Sequence, residues 1–279
     1  MTFVLAAVSD LHFGPEARYA GKLRKLTAHA GELARAFVAR MNDVVRPDLV
    51  LNLGDDIEDE SPAADRARYE QCQDILRTAR APLCNVAGNH DTIFLKTRDL
   101  AEVWRSGAHP ESPQPADGNE LHYAFDRGGH HFVVLHTHEK KDVEITVGKK
   151  QLAWLEAELR ATTLPTVVLM HHSAAEQDLH GNRWFEGKPE ICLVQERADL
   201  RRLFAASGKV RLVLNGHLHW NHLDVIDGIP YVTLQSLVEN VEDDAPGRAA
   251  AAHAVVRLDE GRVCVEIEGA ERARYQIER

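Results

Sequence analysis

The chain has 279 residues, 44% of them hydrophobic, enough to bury a large core within one α/β domain spanning 1–279. A formal charge of −10 and a pI near 5.9 argue against a long nucleic-acid partner, because affinity for a polyphosphate backbone comes from Lys and Arg releasing counterions. Cys72, Cys84, Cys192 and Cys264 are far apart and form no C-x-x-C, which speaks against a zinc knuckle or redox pair and fits a reducing cytoplasm. No stretch approaches the roughly 20 apolar residues of a membrane span, and the apolar run at 3–8 is too short for a secretory signal. The 16 histidines are an excess that invites a metal explanation.

Phe3 to Val8 reads as a buried strand, and the loop leaving it carries Asp10 and His12, whose D-x-H spacing lets both side chains share a face. From Lys22 to Val45, apolar residues recur every three or four positions and predict an amphipathic helix, stopped by Pro47. Residues 48–53 form the next strand, ending at Gly54-Asp55-Asp56. The acidic run of Asp56, Glu58, Asp59 and Glu60 is expected to be a solvated loop and helix start rather than a ligand cage. A helix over 63–80, with Tyr69, Cys72, Ile75 and Leu76 on one face, precedes a strand over 83–87 that ends in Gly88-Asn89-His90-Asp91. In that tetrad Asn offers a neutral carbonyl oxygen to a metal and His can ligate or carry a proton. The adjacent Asp can fix the imidazole tautomer.

Beyond a short helix at 98–105 and a Pro/Gly-rich loop at 107–118, a hairpin is expected around Gly128-Gly129, ending at His136-Thr137-His138. A helix over 149–162 leads to the strand 166–170, which terminates in His171-His172. Residues 174–191, with Trp184 and Phe185, have no clear period and suggest a loop insertion over the site. A helix over 196–206 and a strand over 210–214 lead to Asn215-Gly216-His217-Leu218-His219. Hairpins at 223–234 and 253–267 follow, the second within a strand-rich C-terminal extension over about 236–279. His122, His130, His131 and His253 are read as surface residues of strands and turns, and His172 as a neighbour packed beside the first histidine.

In order, D-x-H at 10–12, G-D at 54–55, G-N-H-D at 88–91, an apolar strand ending in His171, and G-H-x-H at 216–219 resemble the calcineurin-like (purple-acid-phosphatase-like) metallophosphoesterases, in particular their bacterial phosphodiesterase-type branch. The resemblance implies a four-layer α/β/β/α sandwich of two mixed sheets flanked by helices, with two divalent ions (Mn, Fe or Zn) at the strand ends. Carried over block by block, it implies Asp10, His12 and His219 for one ion and Asn89, His171 and His217 for the other. Asp55 would bridge them through its two oxygens. His90, oriented by Asp91, matches the residue that protonates the leaving group or clamps it electrostatically. His136, His138, Trp184 and His222 are candidate substrate contacts.

The implied activity is hydrolysis of a small phosphodiester by a metal-bridging hydroxide. A monoester or a nucleoside-diphosphate conjugate is the alternative substrate, and a non-catalytic protein-binding scaffold is the rival from another class. A homo-oligomer is compatible with the strand-rich C-terminus. The chain departs from the family pattern at His136-Thr137, where many members have Asp-Ser or Asp-Thr, and at Asp56, where many have an apolar residue.

Overall fold

In a computed structural model, which describes residues 2–116, 119–140 and 144–278, the β-branched and apolar runs become short strands buried on both faces. The first sheet takes its parallel half from β1 (Phe3–Val8), β2 (Leu49–Asn52) and β3 (Leu83–Asn85). Between them lie α1 (Ala30–Arg40), which begins after a 3-10 turn at Thr27–His29, and α2 (Pro62–Leu76). The side chain of Ser61 caps α2 by accepting from the Ala64 amide, and Pro62 occupies the first turn, where a missing N–H costs nothing. A third helix, α3 (Thr97–Arg105), packs beside α2 through a Trp104 Nε1 hydrogen bond to Tyr69 Oη at 2.7 Å.

The second sheet comes from β4 (Tyr123–Arg127), β5 (His130–Val134), β8 (Thr166–Leu169), β9 (Val210–Asn215), β10 (His222–Ile226) and β11 (Ile229–Thr233). A separate ribbon pairs β6 (His138–Lys140) with β7 (Glu144–Thr146). Helices α4 (Gly148–Ala161) and α5 (Arg197–Ser207) precede β8 and β9. The spatial order is β10-β11-β9-β8-β5-β4, with β11, β9, β8 and β5 parallel and the two edge strands antiparallel.

Period-two alternation then separates two cores. Phe132, Val134, Val167, Leu169, Leu212 and Leu214 point inward and pack with Leu5 and Leu51 of the first sheet. Their neighbours Val133, Val168 and Val213 point outward onto Leu155, Leu159, Leu200 and Phe204 of α4 and α5. The result is the sandwich of two mixed sheets between helices.

The strand-rich C-terminal segment adds to the first sheet. Strands β12 (His253–Asp259), β13 (Arg262–Glu268) and β14 (Ala273–Glu278) give the order β14-β13-β12-β1-β2-β3, with β12 antiparallel to β1. The first helix is shorter than its periodicity predicts. Leu23 and Leu26 are buried, but in an extended segment where Lys25 bridges Glu239 of the 236–252 stretch. Residues 174–191 form a loop broken only by a 3-10 turn at Pro189–Ile191. Among the described residues no helix is long and apolar enough to cross a membrane.

Candidate metal centre

The carboxyl ends of β1, β2, β3, β8 and β9 meet at one rim, and each strand hands its last residue to a sharp turn. Asp10 (φ 55°), His12 (46°), Asp55 (57°), His217 (66°) and His219 (53°) all sit in the left-handed region, which L-residues with side chains rarely adopt. Each such residue costs about 1–3 kcal/mol, and strain of this kind gathers where surrounding structure over-determines a functional geometry. The turns interlock through backbone hydrogen bonds from Asp10 N to Gly54 O (2.9 Å) and from His12 N to Asp55 O (3.0 Å). Two glycines are required by closeness: a Cβ at Gly88 would lie 2.1 Å from Asp55 Oδ1, and one at Gly216 1.8 Å from Ser9 Oγ.

These turns bring Asp10, His12, Asp55, Asn89, His90, His171, His217 and His219 together. Ligand atoms of Asp10, His12 and His219 lie within 4.8 Å of one another, as do those of Asp10, Asp55 and His171, and those of His171, His172 and His217. The Nε2 atoms of His12 and His219 are 3.1 Å apart, while their Nδ1 atoms face carboxylates, Glu58 at 3.1 Å and Glu239 at 2.7 Å. Once His219 gives up its Nε2 proton, each ring turns a lone pair toward the other, an arrangement a cation between them suits. His171 Nδ1 donates to Leu53 O at 2.8 Å, leaving Nε2 3.2 Å from Asp55 Oδ2 without a hydrogen-bond partner. Asn89 Oδ1 is also buried and unpartnered. This donor set, N and O atoms of which Asn89 Oδ1 and His171 Nε2 are left without a hydrogen bond, fits divalent transition metals.

Asp55 divides its oxygens differently from the sequence expectation. Oδ1 accepts from the His90 amide at 2.9 Å, so Oδ2 is the atom that faces both pockets, 3.2 Å from His171 Nε2 and 4.0 Å from His12 Nε2.

The electrostatics alternate around the rim. Burial opposes ionisation of Asp10, but its hydrogen bond to His219 and that ring's charge hold the carboxyl well below its usual range. Burial opposes Asp55 as well, and the charges on His171 and His90 outweigh it. Burial disfavours protonated His219 and His171, yet hydrogen bonds to Asp10 and Glu239 lift the first to about 9 and the Asp55 charge lifts the second to about 10. His12, by burial and the Lys25 charge, falls to about 4, and His217, by burial and the His171 charge, to about 3.

Several expectations are corrected. Asp91 does not orient His90: its carboxylate turns inward and accepts from the amides of Asp55 (3.0 Å), Asp56 (2.8 Å) and Gly88 (2.8 Å). The partner of His90 is Asp59, whose Oδ1 lies 2.5 Å from Nδ1. The acidic run is solvated at Glu60 but not throughout. Asp56 is buried among Asn52 and Gln73 with its carboxyl pushed up to about 6 by burial, and Glu58 is buried between Lys25, Tyr19 and His12. His131 and His253 are buried rather than superficial, the first between Asp126 and Glu158 and the second against Phe37.

Among the candidate substrate contacts, His136 is buried with Nε2 unpartnered and its ring 4.1 Å from that of the exposed His138. Trp184 comes within 5.1 Å of the His219 ring, but its Nε1 is committed to the Glu239 carboxylate at 3.1 and 3.2 Å. His222 turns its ring onto Trp220 and toward Asp224. Sequence reasoning missed Lys25, Asp59 and Glu239, none of which lies in a motif.

A sandwich with this rim of aspartates, asparagine and histidines defines a metal-dependent phosphoester hydrolase. The calcineurin-like phosphoesterase model matches residues 3–221, and the chain belongs to that family. It is similar to a probable cyclic nucleotide phosphodiesterase of a Synechococcus species, 28% identical over 223 residues, covering 78% of this chain and 74% of that protein. A 3′,5′-cyclic-nucleotide phosphodiesterase of a Nostoc species is 26% identical over 220 residues, 77% of this chain and 71% of that one. Among solved structures, a dimetal phosphatase from Danio rerio superposes with a TM-score of 0.76 at 16% identity, over 99% of this chain and 98% of that one. A purple acid phosphatase from yellow lupin seeds gives 0.69 at 13% identity, over 100% and 54%. At these identities the structural likenesses speak to the fold.

Proposed function

We propose that the protein is a phosphodiesterase for small diesters, cyclic nucleotides first among them, working with two divalent cations. The observation that carries this reading is the meeting of five loops that leaves Asn89 Oδ1 and His171 Nε2 buried without hydrogen-bond partners beside two ionised aspartates. Asp10, His12 and His219 would hold one cation and Asn89, His171 and His217 the other, with Asp55 shared; Mn, Fe and Zn all suit this donor set. Bound there, divalent cations supply Lewis acidity and lower the pKa of water from about 15.7 toward 7.

The chain's own residues do the rest. Asp10 and Asp55 return less negative charge than two cations bring, so the rim attracts an anion. Asp59 fixes the His90 ring at Nδ1. Burial alone would strip the proton from His90, but the charge of Asp55 and the hydrogen bond that Nδ1 donates to Asp59 raise its pKa, so the free nitrogen can donate to the departing alkoxide. Such a donor is worth about 10²–10⁴ in rate.

Charge balance favours a diester. Lys25 and Arg183, which stand behind His12 and His219, are already paired with Glu58 and Glu239, which suits a singly charged diester better than a dianionic monoester. The names of the cyanobacterial relatives point the same way. A nucleoside-diphosphate pyrophosphatase would want an aromatic free to stack on the base, but Trp184 is held by Glu239 and Phe185 lies on the His217 ring at 4.7 Å. The complete donor set disfavours a non-catalytic scaffold, and four free, buried cysteines suit the cytoplasm.

The test is hydrolysis of 3′,5′-cyclic AMP, bis(p-nitrophenyl) phosphate and p-nitrophenyl phosphate by metal-stripped protein reloaded with Mn²⁺, Fe²⁺ or Zn²⁺. Metal-dependent turnover of the diesters ahead of the monoester is expected. Preference for the monoester would overturn the diester reading, and no metal uptake would overturn the whole.

A further inference from the structure

The two pockets differ in what stands behind their histidines. In the Asn89–His171–His217 pocket both rings lean on main-chain carbonyls: His171 Nδ1 on Leu53 O at 2.8 Å and His217 Nε2 on Ile191 O at 3.2 Å. In the Asp10–His12–His219 pocket both rings face carboxylates, His219 through a hydrogen bond and His12 as an ion-pair contact. Glu58 Oε2 is 3.1 Å from His12 Nδ1, and Glu239 Oε2 is 2.7 Å from His219 Nδ1.

The carboxylates are themselves held. Glu58 accepts from Lys25 Nζ and Tyr19 Oη, while Glu239 accepts from Trp184 Nε1 and lies 3.2 Å from Arg183 Nη2. The isolated bridge between Lys25 and Glu239 joins the two supports, and the rings of Tyr19 and Trp184 close over them edge to face, 4.9 Å apart. Lys25 Nζ sits 4.9 and 5.5 Å from those rings.

We propose that Glu58 and Glu239 are positioning residues for the Asp10–His12–His219 pocket, each fixing the tautomer of one imidazole and adding the negative charge that the other pocket lacks. The inference rests on the two-cation reading given above. A buried ion pair such as Lys25–Glu58 is a poor way to gain stability, since desolvation offsets its attraction. Its alignment with His12 gives it a use. The same holds for Glu239, which is 1% exposed and spans Arg183, Trp184 and His219. Trp184 acts here through Glu239, not by touching substrate.

The experiment is calorimetric titration of the metal-stripped full chain with Mn²⁺, comparing wild type with Glu58→Gln and Glu239→Gln. Each glutamine keeps a carbonyl for the imidazole N–H and removes the charge. Loss of a carboxylate partner behind a ligating histidine typically weakens metal binding by about 10–100-fold. That loss is expected in one of two Mn²⁺ equivalents in each variant, with the other equivalent unchanged. Trp184→Phe, which removes the indole donor and part of the ring but leaves the Glu239 carboxylate, should weaken the Glu239-supported equivalent by less than Glu239→Gln does.

Because Glu58→Gln strands Lys25, the pair Lys25→Met with Glu58→Gln supplies a second route. It should fold and show the same selective loss. A lowered apo melting temperature with both equivalents bound as in wild type would assign the carboxylates a merely structural role and overturn the proposal, as would equal weakening of both equivalents. Failure of the wild type to bind Mn²⁺ would instead overturn the two-cation reading.

Discussion

The two ends of the parallel strands are built from the same apolar runs and differ in almost everything else. At the carboxyl end, five ligand-type residues adopt left-handed backbone, and Asp10, Asp55, His171 and His219 are buried with strongly displaced proton affinities. At the amino end of β2 and β3 a cavity of about 430 Å³ opens among Arg46, Asp48, Arg80, Pro82 and His109. Its charges are ordinary surface ones: Arg80 is exposed and reaches Asp43 at 3.5 Å, and Asp48 accepts from the Val4 amide. Open volume therefore does not mark the site. Strain together with buried, mutually opposed charges marks the end where chemistry is expected.

The strongest way to break this contrast is at the shared carboxylate. Asp55→Ala should abolish both metal uptake and hydrolysis, measured by metal analysis and diester turnover, because Asp55 Oδ2 is the atom facing both pockets. Gly88→Ala should come close to it, since the new methyl would collide with both the carboxylate and the amide of Asp55. If the rim were only a packed polar core, both variants would lower stability, but the wild type would have no metal uptake or turnover for them to abolish.

A smaller, separable loss is expected at His90. His90→Ala should keep both metals while lowering kcat by about 10²–10⁴, most for diesters with poor leaving groups. Loss of metal in this variant would mean that His90 ligates. Asp59→Asn should lower kcat in the same direction and by less, since it keeps a partner at Nδ1 but removes the charge.

Proton competition gives the next effect. Without metal, burial works against protonation, but Asp10 and Glu239 hold a proton on His219 up to about 9, and Asp55 holds one on His171 up to about 10. A protonated imidazole cannot ligate, so a cation must displace these protons. Affinity for Mn²⁺ should then rise with pH through the neutral range, by up to about tenfold per unit for each proton released. Affinity that is flat or falls with pH would remove His171 and His219 from the ligand set.

The rim was legible because each candidate ligand follows its strand within a few residues, and glycines at 54, 88 and 216 advertise the close approaches. It failed where a partner is chosen by the fold. Asp91 neighbours His90, but in the 3-10 turn His90–Thr92 the two side chains diverge, and Asp91 satisfies three amides instead. Glu58 and Asp59 sit in an acidic run indistinguishable by composition from a solvated one. Lys25 lies inside a helical periodicity that is real for Leu23 and Leu26 but is satisfied by an extended segment. Glu239 reaches His219 only because the 236–252 stretch folds back over the rim. Strand β14 alternates half-buried Ala273, Tyr275 and Ile277 with exposed residues, too weak a pattern to announce an edge strand.

The smallest effect is expected at the amino end, and it is the one that tests the contrast from the other side. Arg80 is exposed, its amide donates to the Asn42 side-chain oxygen, and its guanidinium makes one contact to Asn42 O at 2.8 Å beside the longer approach to Asp43. Arg80→Ala keeps the amide contact and removes a solvated ion pair, so stability should change by no more than about 0.5 kcal/mol. Mn²⁺ affinity and diester kcat/KM should stay at wild-type values, because β2 and β3 separate Arg80 from the rim. A fall in kcat/KM with an unchanged melting temperature would show that the amino-end cavity communicates with the metal pockets, and the two ends would then have to be treated as one functional unit.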